Sequence, residues 1–180
     1  MGIVLNNEIT VLGLLCEKPM HGYEIEKTIK KRNMRYWTEI SLPSIYKVLK
    51  KLEQKKLITS EIKFAKNNIT QKIYTVTAKG RQVMKNRVKE ILSTVEKTIW
   101  QIDLGIANIY LLNKEEAKEC LQKYVVSIDK KIEIYKKLKI FFKKNNYPQS
   151  DIALAIRPLM HLRIEKKWAA DFLNNNLGGK

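Results

Sequence analysis

Apolar residues recur at helical spacing along most of this 180-residue chain, and the places where that spacing fails divide it into elements. The pattern is organised around Ser41 to Tyr74. From Leu42 to Lys55, the residues Leu42, Ile45, Leu49 and Leu52 fall three, four and three positions apart, one stripe of a helix that must be buried. Ser44, Lys47, Lys50, Lys51 and Gln54 fall on the opposite side, with Tyr46 at its edge. Two alternating runs follow, Leu57 to Phe64 and Gln71 to Val76, which read as strands around a polar tip, Asn67-Asn68-Ile69-Thr70.

Upstream, Asn7 reads as the N-cap of a first helix carrying Ile9, Val11, Leu12, Leu14 and Leu15. That helix is apolar nearly all round, so it belongs at the centre of a core. Pro19 ends it and Met20-His21-Gly22 reads as a turn. A second helix from Gly22 to Arg32 would bury Tyr23, Ile25 and Ile29 and turn Lys27, Lys30, Lys31 and Arg32 outward. A connector with Tyr36-Trp37 leads to Ser41. Helix, helix, helix, strand, strand is the order of a winged helix-turn-helix.

Downstream, Thr77 can cap a long helix on which Met84, Val88, Ile91, Val95, Ile99 and Ile102 recur, running on to Leu111 or breaking near Gly105. Asn113 caps the next, with Glu115 and Glu116 in a first turn that favours acids. Its apolar positions, Ala117, Leu121, Tyr124, Ile128, Ile132, Tyr135, Leu138 and Phe142, approximate a heptad pattern over roughly 25 residues. Asn145 to Pro148 breaks it. Ser150 caps a last helix to about Leu173, which Pro158 should kink or split, and Gly178-Gly179 marks a loose tail. The predicted fold is mainly α with a small two-stranded wing: a winged helix-turn-helix DNA-binding domain over 1–95 and a helical domain over 96–180. The helical half could pack as an isolated bundle. More economically it buries its stripes against a second copy, and as dimerisation residues we take Leu121, Tyr124, Ile128, Ile132, Tyr135, Ile164, Trp168 and Phe172.

Charge sharpens this picture. Lys+Arg 35 against Asp+Glu 18 gives +17, which favours a polyanionic partner. Residues 1–99 hold 20 Lys/Arg and 9 Asp/Glu, a net of +11, so the excess lies with the helix-and-wing half. A helix anchored on one side and cationic on the other suits a DNA major groove. Ser44, Lys47 and Lys50 are the candidates for base edges, with Lys51 on the same side, and Ser41 and Tyr46 for phosphates. Lys66, Asn68, Thr70 and Lys72 would set the wing along the backbone or in a minor groove. One such helix makes few contacts, whereas two copies about 34 Å apart make a specific site on an inverted repeat.

Other chemistry finds little support. His21 suits a helix cap, Gly22 a tight entry, and Tyr23 and His161 structural roles. No Ser/His/Asp arrangement, metal-ligand cluster or phosphate-cradling glycine loop occurs, so neither an enzyme nor a metal or cofactor is expected. Cys16 and Cys120 lie far apart on apolar faces without a Cys-x-x-Cys, as buried thiols of a reducing cytoplasm. No apolar run approaches 18 residues, so no membrane partner is expected. Trp37 is read as packing between helices, and Trp100 either as core or as the lining of an apolar cavity. Both are candidate contacts for a small aromatic or amphipathic effector. The competing reading from another class is a basic helical protein-interaction adaptor without specific DNA readout.

Three segments carry a resemblance. Leu12-Gly13-Leu14-Leu15 with Pro19-Met20-His21-Gly22-Tyr23-Glu24-Ile25 resembles the opening signature of the PadR family of transcriptional regulators. Trp37, then Ser44-Ile45-Tyr46 with Leu49, Leu52 and Leu57-Ile58, is similar to that family's next segment. Tyr74-Thr75-Val76-Thr77-Ala78-Lys79-Gly80 resembles its strand-to-helix junction. The resemblance covers roughly residues 5–95, and the helical remainder looks like the longer type of the family, whose extension dimerises. It implies a dimeric cytoplasmic repressor of palindromic operator DNA, released in many members by a small molecule near the dimer interface. Two positions depart: Lys56 stands where the family often has Gly, and Lys66, Asn67 and Asn68 where its wing often carries Arg.

Overall fold

The computed structural model describes residues 6–64 and 70–177, so Lys66, Asn68, the turn expected at Asn67-Asn68 and the Gly178-Gly179 tail lie outside the described residues. It forms two compact units, Met1–Lys97 and Thr98–Lys180.

In the first unit, helix α1 (Asn6–Glu17) is followed by strand β1 (Met20–His21), α2 (Gly22–Lys31) and a 3-10 turn (Met34–Tyr36). Then come α3 (Leu42–Gln54), β2 (Ile58–Phe64), β3 (Thr70–Val76) and α4 (Ala78–Ser93). The sheet is antiparallel in the order β1-β3-β2, in register from Ile58 opposite Val76 to Phe64 opposite Thr70. Its first strand was expected as a turn. Two residues are too short to alternate, and they pair only because β3 offers Tyr74 and Ile73 an open edge. The core joins Val11, Leu12, Leu14 and Leu15 to Ile25, Ile29, Ile45, Leu49, Leu52, Leu57, Ile58, Tyr74 and Val76. Asn7 lies inside α1 and does not cap it, since the helix already includes Asn6.

Helix α2 corrects the burial of Tyr23. Gly22, Ile25, Glu26 and Ile29 define its inner face, which rotates Tyr23 outward to 61% exposure, stacked parallel to His21. The cap reading of His21 holds: its Nδ1 accepts the N–H of Glu24 at 3.2 Å. The position Tyr23 was expected to fill falls to Glu26, held by Arg35 at 2.7 Å and Lys30 at 3.2 Å. Helix α3 ends in a Schellman motif: Leu57 N–H reaches Leu52 O and Lys56 N–H reaches Glu53 O, with Lys56 left-handed at φ 59°.

The second unit holds α5 (Gln101–Ala107), a 3-10 turn (Ile109–Leu111), α6 (Lys114–Lys144), α7 (Gln149–Phe172) and a π-helical turn (Leu173–Leu177). The long helix expected from Thr77 stops at Ser93 and does not continue to Gly105 or Leu111. Thr94 is extended, in a segment whose β-branched Thr94, Val95, Thr98 and Ile99 are poor helix formers. Helix α6 is unbroken for 31 residues and opens on a capping box between Asn113 and Glu116. It closes as α3 does, with Asn146 left-handed and Tyr147 N–H on Phe142 O.

Helices α6 and α7 bury their stripes on each other in two patches. One joins Leu138 and Phe142 to Ile152 and Ala155, and the other joins Ile128 and Ile132 to Leu159, with Tyr124 and Tyr135 packed alongside. Tyr124 donates its hydroxyl proton to Glu165 at 2.8 Å, and burial together with that carboxylate pushes the phenol up to about 12. Ile128 and Ile132, expected between copies, are thus buried within one chain against Leu159 of α7, and Leu121 is buried in the single chain as well. Ser150 lies inside the first turn of α7, where Pro148 takes the cap position, and Pro158 leaves the helix continuous. Of the two cysteines expected to be buried, Cys16 is half-buried and Cys120 is exposed.

Candidate nucleic-acid interface

Helix α3 is fixed from behind and open in front. Ile45, Leu49 and Leu52 are fully buried, as the stripe predicts, and Tyr46, Lys47 and Lys50 are exposed. Ser41 is the N-cap: its Oγ accepts Ser44 N–H at 3.4 Å and lies 2.9 Å from Ser44 Oγ. Ser41 and Ser44 therefore stand together at the helix start with hydroxyl capacity to spare. Gly22 explains how α2 meets this helix. A Cβ there would lie 2.6 Å from Tyr46 Cε1, so the glycine is needed for close approach of the tyrosine ring.

The acids of this unit are largely consumed internally. Glu8 on α1 lies 2.8 Å from Lys51 on α3 and 2.7 Å from Lys55, which caps the C-terminus of that helix. Burial alone would raise the Glu8 carboxyl, but the two ammoniums outweigh it and hold it below the usual range. Glu53 accepts from Ser60 on β2 and lies 2.9 Å from Lys72 on β3. Hydrogen bonds from Ser60 and then Lys72 lower the Glu53 carboxyl, and Glu53 in turn raises Lys72. Glu17 pairs with Arg32, and Glu24 with Lys18. On the open face of α3, Lys47 and Lys50 are in no ion pair with any described residue.

Of the residues singled out for DNA, the structure brings Ser41, Ser44, Tyr46, Lys47 and Lys50 onto one face. Lys51 is turned to Glu8, and Lys72 to Glu53 with its ammonium 5.3 Å from the Tyr74 ring centre. Thr70 is exposed at the far end of β3. Glu8, Glu26 and Glu53 were missed as functional neighbours. For Glu8 the signal was an acid inside an otherwise apolar helix run, with two lysines four apart, Lys51 and Lys55, further along the chain; Glu26 and Glu53 sit among other charges and carried no such signal.

The tryptophans are placed differently from expectation. Trp37 follows the 3-10 turn of the first unit and is 40% exposed, so it is not a core residue. Trp100 stands at the start of α5 in the second unit, 54% exposed, and so is not core. An open groove of about 360 Å³ in the second unit is lined by Ile164, Lys167, Trp168 and Phe172 among others, and one of about 290 Å³ in the first by Ile29, Lys30, Asn33, Arg35 and Tyr36. Among the described residues no group of three or more His, Cys, Asp or Glu could hold a metal ion, and no helix is long and apolar enough to cross a membrane.

Three helices, a paired wing and an outward-facing third helix define a winged helix-turn-helix. Residues 11–86 match the transcriptional regulator PadR-like family, and the chain belongs to that family. An uncharacterized protein of Lysinibacillus sphaericus is 30% identical over 80 residues, 44% of this chain and 72% of that one. The fold is similar to Bacillus subtilis PadR in complex with operator DNA, with TM-score 0.76 and 20% identity over 92% of this chain and 96% of that one. It is similar to the same protein in complex with p-coumaric acid, at TM-score 0.77 and 19% identity over 96% of each chain. The Vibrio cholerae virulence activator AphA aligns at TM-score 0.70 and 17% identity, over 93% of this chain and 96% of that one.

Proposed function

We propose that this transcriptional regulator is a cytoplasmic homodimeric repressor that reads an inverted repeat in double-stranded DNA through α3. The observation that carries the reading is the open face of α3, where Ser44, Tyr46, Lys47 and Lys50 project from a fully buried backing while neighbouring acids are already paired. Ser44, Lys47 and Lys50 contact base edges, and Ser41 and Tyr46 hold phosphates. Thr70, with Lys66 and Asn68, sets the wing. Lys51 is assigned to Glu8 and leaves the contact set. No catalytic role is assigned to any residue.

The second copy covers exposed apolar residues of the second unit, Ile99, Tyr110, Leu111 and Ile164, with Trp168 and Phe172 beside Ile164 on α7. Bacillus subtilis PadR has been solved with p-coumaric acid, and by that likeness a small aromatic acid is the effector class for this chain, with Trp100 of the second unit as its contact. Release requires the effector to favour the state that binds DNA less well.

Footprinting on the DNA upstream of the coding region, at about 150 mM salt with excess competitor, tests this reading. A protected inverted repeat with half-sites one helical turn apart, overlapping the promoter and released by p-coumaric acid, is the expected result. Protection upstream of the promoter would make the protein an activator. Weak, salt-sensitive protection everywhere would favour the adaptor instead.

A further inference from the structure

Lys72 is a cation on the wing of a DNA-binding fold, yet its ammonium points at its own protein. Glu53, near the end of α3, accepts from Ser60 on β2 and lies 2.9 Å from Lys72 on β3. Ser60 lies opposite Tyr74 in the ladder and Lys72 is two residues from Tyr74, so the three share one face of the wing. The Lys72 ammonium also lies 5.3 Å from the Tyr74 ring centre, and Tyr74 is buried in the core. One carboxylate thus ties both strands of the wing to the reading helix.

Resting on the DNA reading above, we propose that Glu53 and Lys72 are positioning residues that set sequence specificity. The pair holds the wing at a fixed angle to α3, so wing and helix meet the duplex in one register. It also withholds a cation that would otherwise strengthen binding to any phosphate backbone. A free wing lysine gives affinity for all sequences alike, and a neutralised one gives none while still aligning the wing.

The test compares the native full-length protein with Glu53→Gln, Lys72→Met and the double variant, on the footprinted operator and on a scrambled duplex across a salt series. For Lys72→Met the expected result is an unchanged salt slope with a lower operator-to-scrambled ratio. For Glu53→Gln the freed Lys72 reaches phosphate, so the slope of log affinity against log salt steepens by about 0.9 and the ratio falls. In the double variant the slope returns to native. If Lys72→Met flattens the slope by about 0.9 while Glu53→Gln changes nothing, Lys72 is a plain phosphate contact and the proposal is overturned. Unchanged ratios in both variants also overturn it. Should Glu53→Gln fail to melt cooperatively, the slope and ratio of Lys72→Met decide alone. A native protein with no preference for any operator would sink the DNA reading itself, and this proposal with it.

Discussion

The ammonium of Lys55 lies 2.7 Å from the carboxylate of Glu8, joining the last turns of α3 to an acid that is 1% exposed on α1. Lys51 reaches the same carboxylate at 2.8 Å, so two exposed-side cations converge on one buried anion. The partners are not equivalent. Without Glu8 the lysines swing into water, so Glu8→Gln should cost about 1–2 kcal/mol. Without both lysines the anion stays buried and unpaired, so Lys51→Met with Lys55→Met should cost about 3–5 kcal/mol. Because the folded Glu8 carboxyl sits below its ordinary 4.5, its contribution is complete above that pH and is lost as pH falls through the depressed value. Urea midpoints across this acid range should fall less steeply in Glu8→Gln than in the native protein. Equal slopes would mean that Glu8 titrates alike in folded and unfolded chains.

Lys56 occupies a position that favours glycine. Its φ of 59° is left-handed, and its N–H closes the Schellman motif on Glu53 O. An L-residue there is strained by about 1–2 kcal/mol. Glycine returns about 0.5–1 kcal/mol of chain entropy to the unfolded state. Lys56→Gly should therefore stabilise the protein by about 0.5–1 kcal/mol, raising the denaturant midpoint with an unchanged m-value. A lower midpoint would show that the lysine side chain makes a compensating interaction.

Two glycines should respond differently to the same methyl group. At Gly80 a Cβ would lie 2.1 Å from Leu57 O and 2.9 Å from Val76 Cγ2, a backbone clash that repacking cannot relieve. Gly80→Ala should cost at least about 3 kcal/mol. At Gly22 the obstacle is the Tyr46 ring, the mobile end of an exposed side chain. Gly22→Ala should change stability by less than about 1 kcal/mol but displace Tyr46 and weaken operator affinity roughly tenfold. Thermal melts and binding isotherms on both variants separate these outcomes. Operator affinity untouched in Gly22→Ala would remove Tyr46 from the interface.

Lys47 and Lys51 lie one turn apart on α3, and sequence spacing put both on the DNA-facing side, with Lys47 as the base-edge candidate. In the structure Lys47 makes no ion pair and Lys51 is held by Glu8. Lys47→Ala should cost about 1–3 kcal/mol of operator binding and relax preference at one base pair. Lys51→Ala should leave both the base preference and the salt slope unchanged. Uniform loss on every sequence in Lys47→Ala would make it a phosphate contact instead.

The repeating part of this fold was open to sequence reading and the single pairings were not. The stripe of Ile45, Leu49 and Leu52, the Asn113 capping box and the two long strands follow from spacing and cap chemistry, which are local. The two-residue strand at Met20 exists only because β3 lies beside it. The inward turn of Lys51 depends on Glu8, and that of Lys72 on Glu53, acids 43 and 19 residues away. Periodicity assigns a face to a lysine but cannot show that a distant carboxylate has taken it. The same limit applied to α6: its stripe was visible, but whether α7 or a second copy covered it depended on a packing partner far along the chain.

That last point fixes where a dimer contact should be sought. Ile128 is buried against α7, whereas Ile99, Leu104, Tyr110 and Leu111 of the same unit are strongly exposed. So dense a run of exposed large apolar residues is uncommon on a monomer, and it is where the proposed second copy would dock. Aspartate at Ile99 and Leu111 together should convert a dimer into a 21.1 kDa monomer with its helix content intact, since both side chains meet water in the single chain. Ile128→Asp instead places an unpaired charge in the α6–α7 core and should abolish cooperative unfolding of the second unit. Sedimentation equilibrium with circular dichroism on both variants distinguishes the two surfaces. A stable dimer in the Ile99→Asp, Leu111→Asp protein would return the interface to the long helices, with Ile164, Trp168 and Phe172 as its remaining exposed or half-buried anchors.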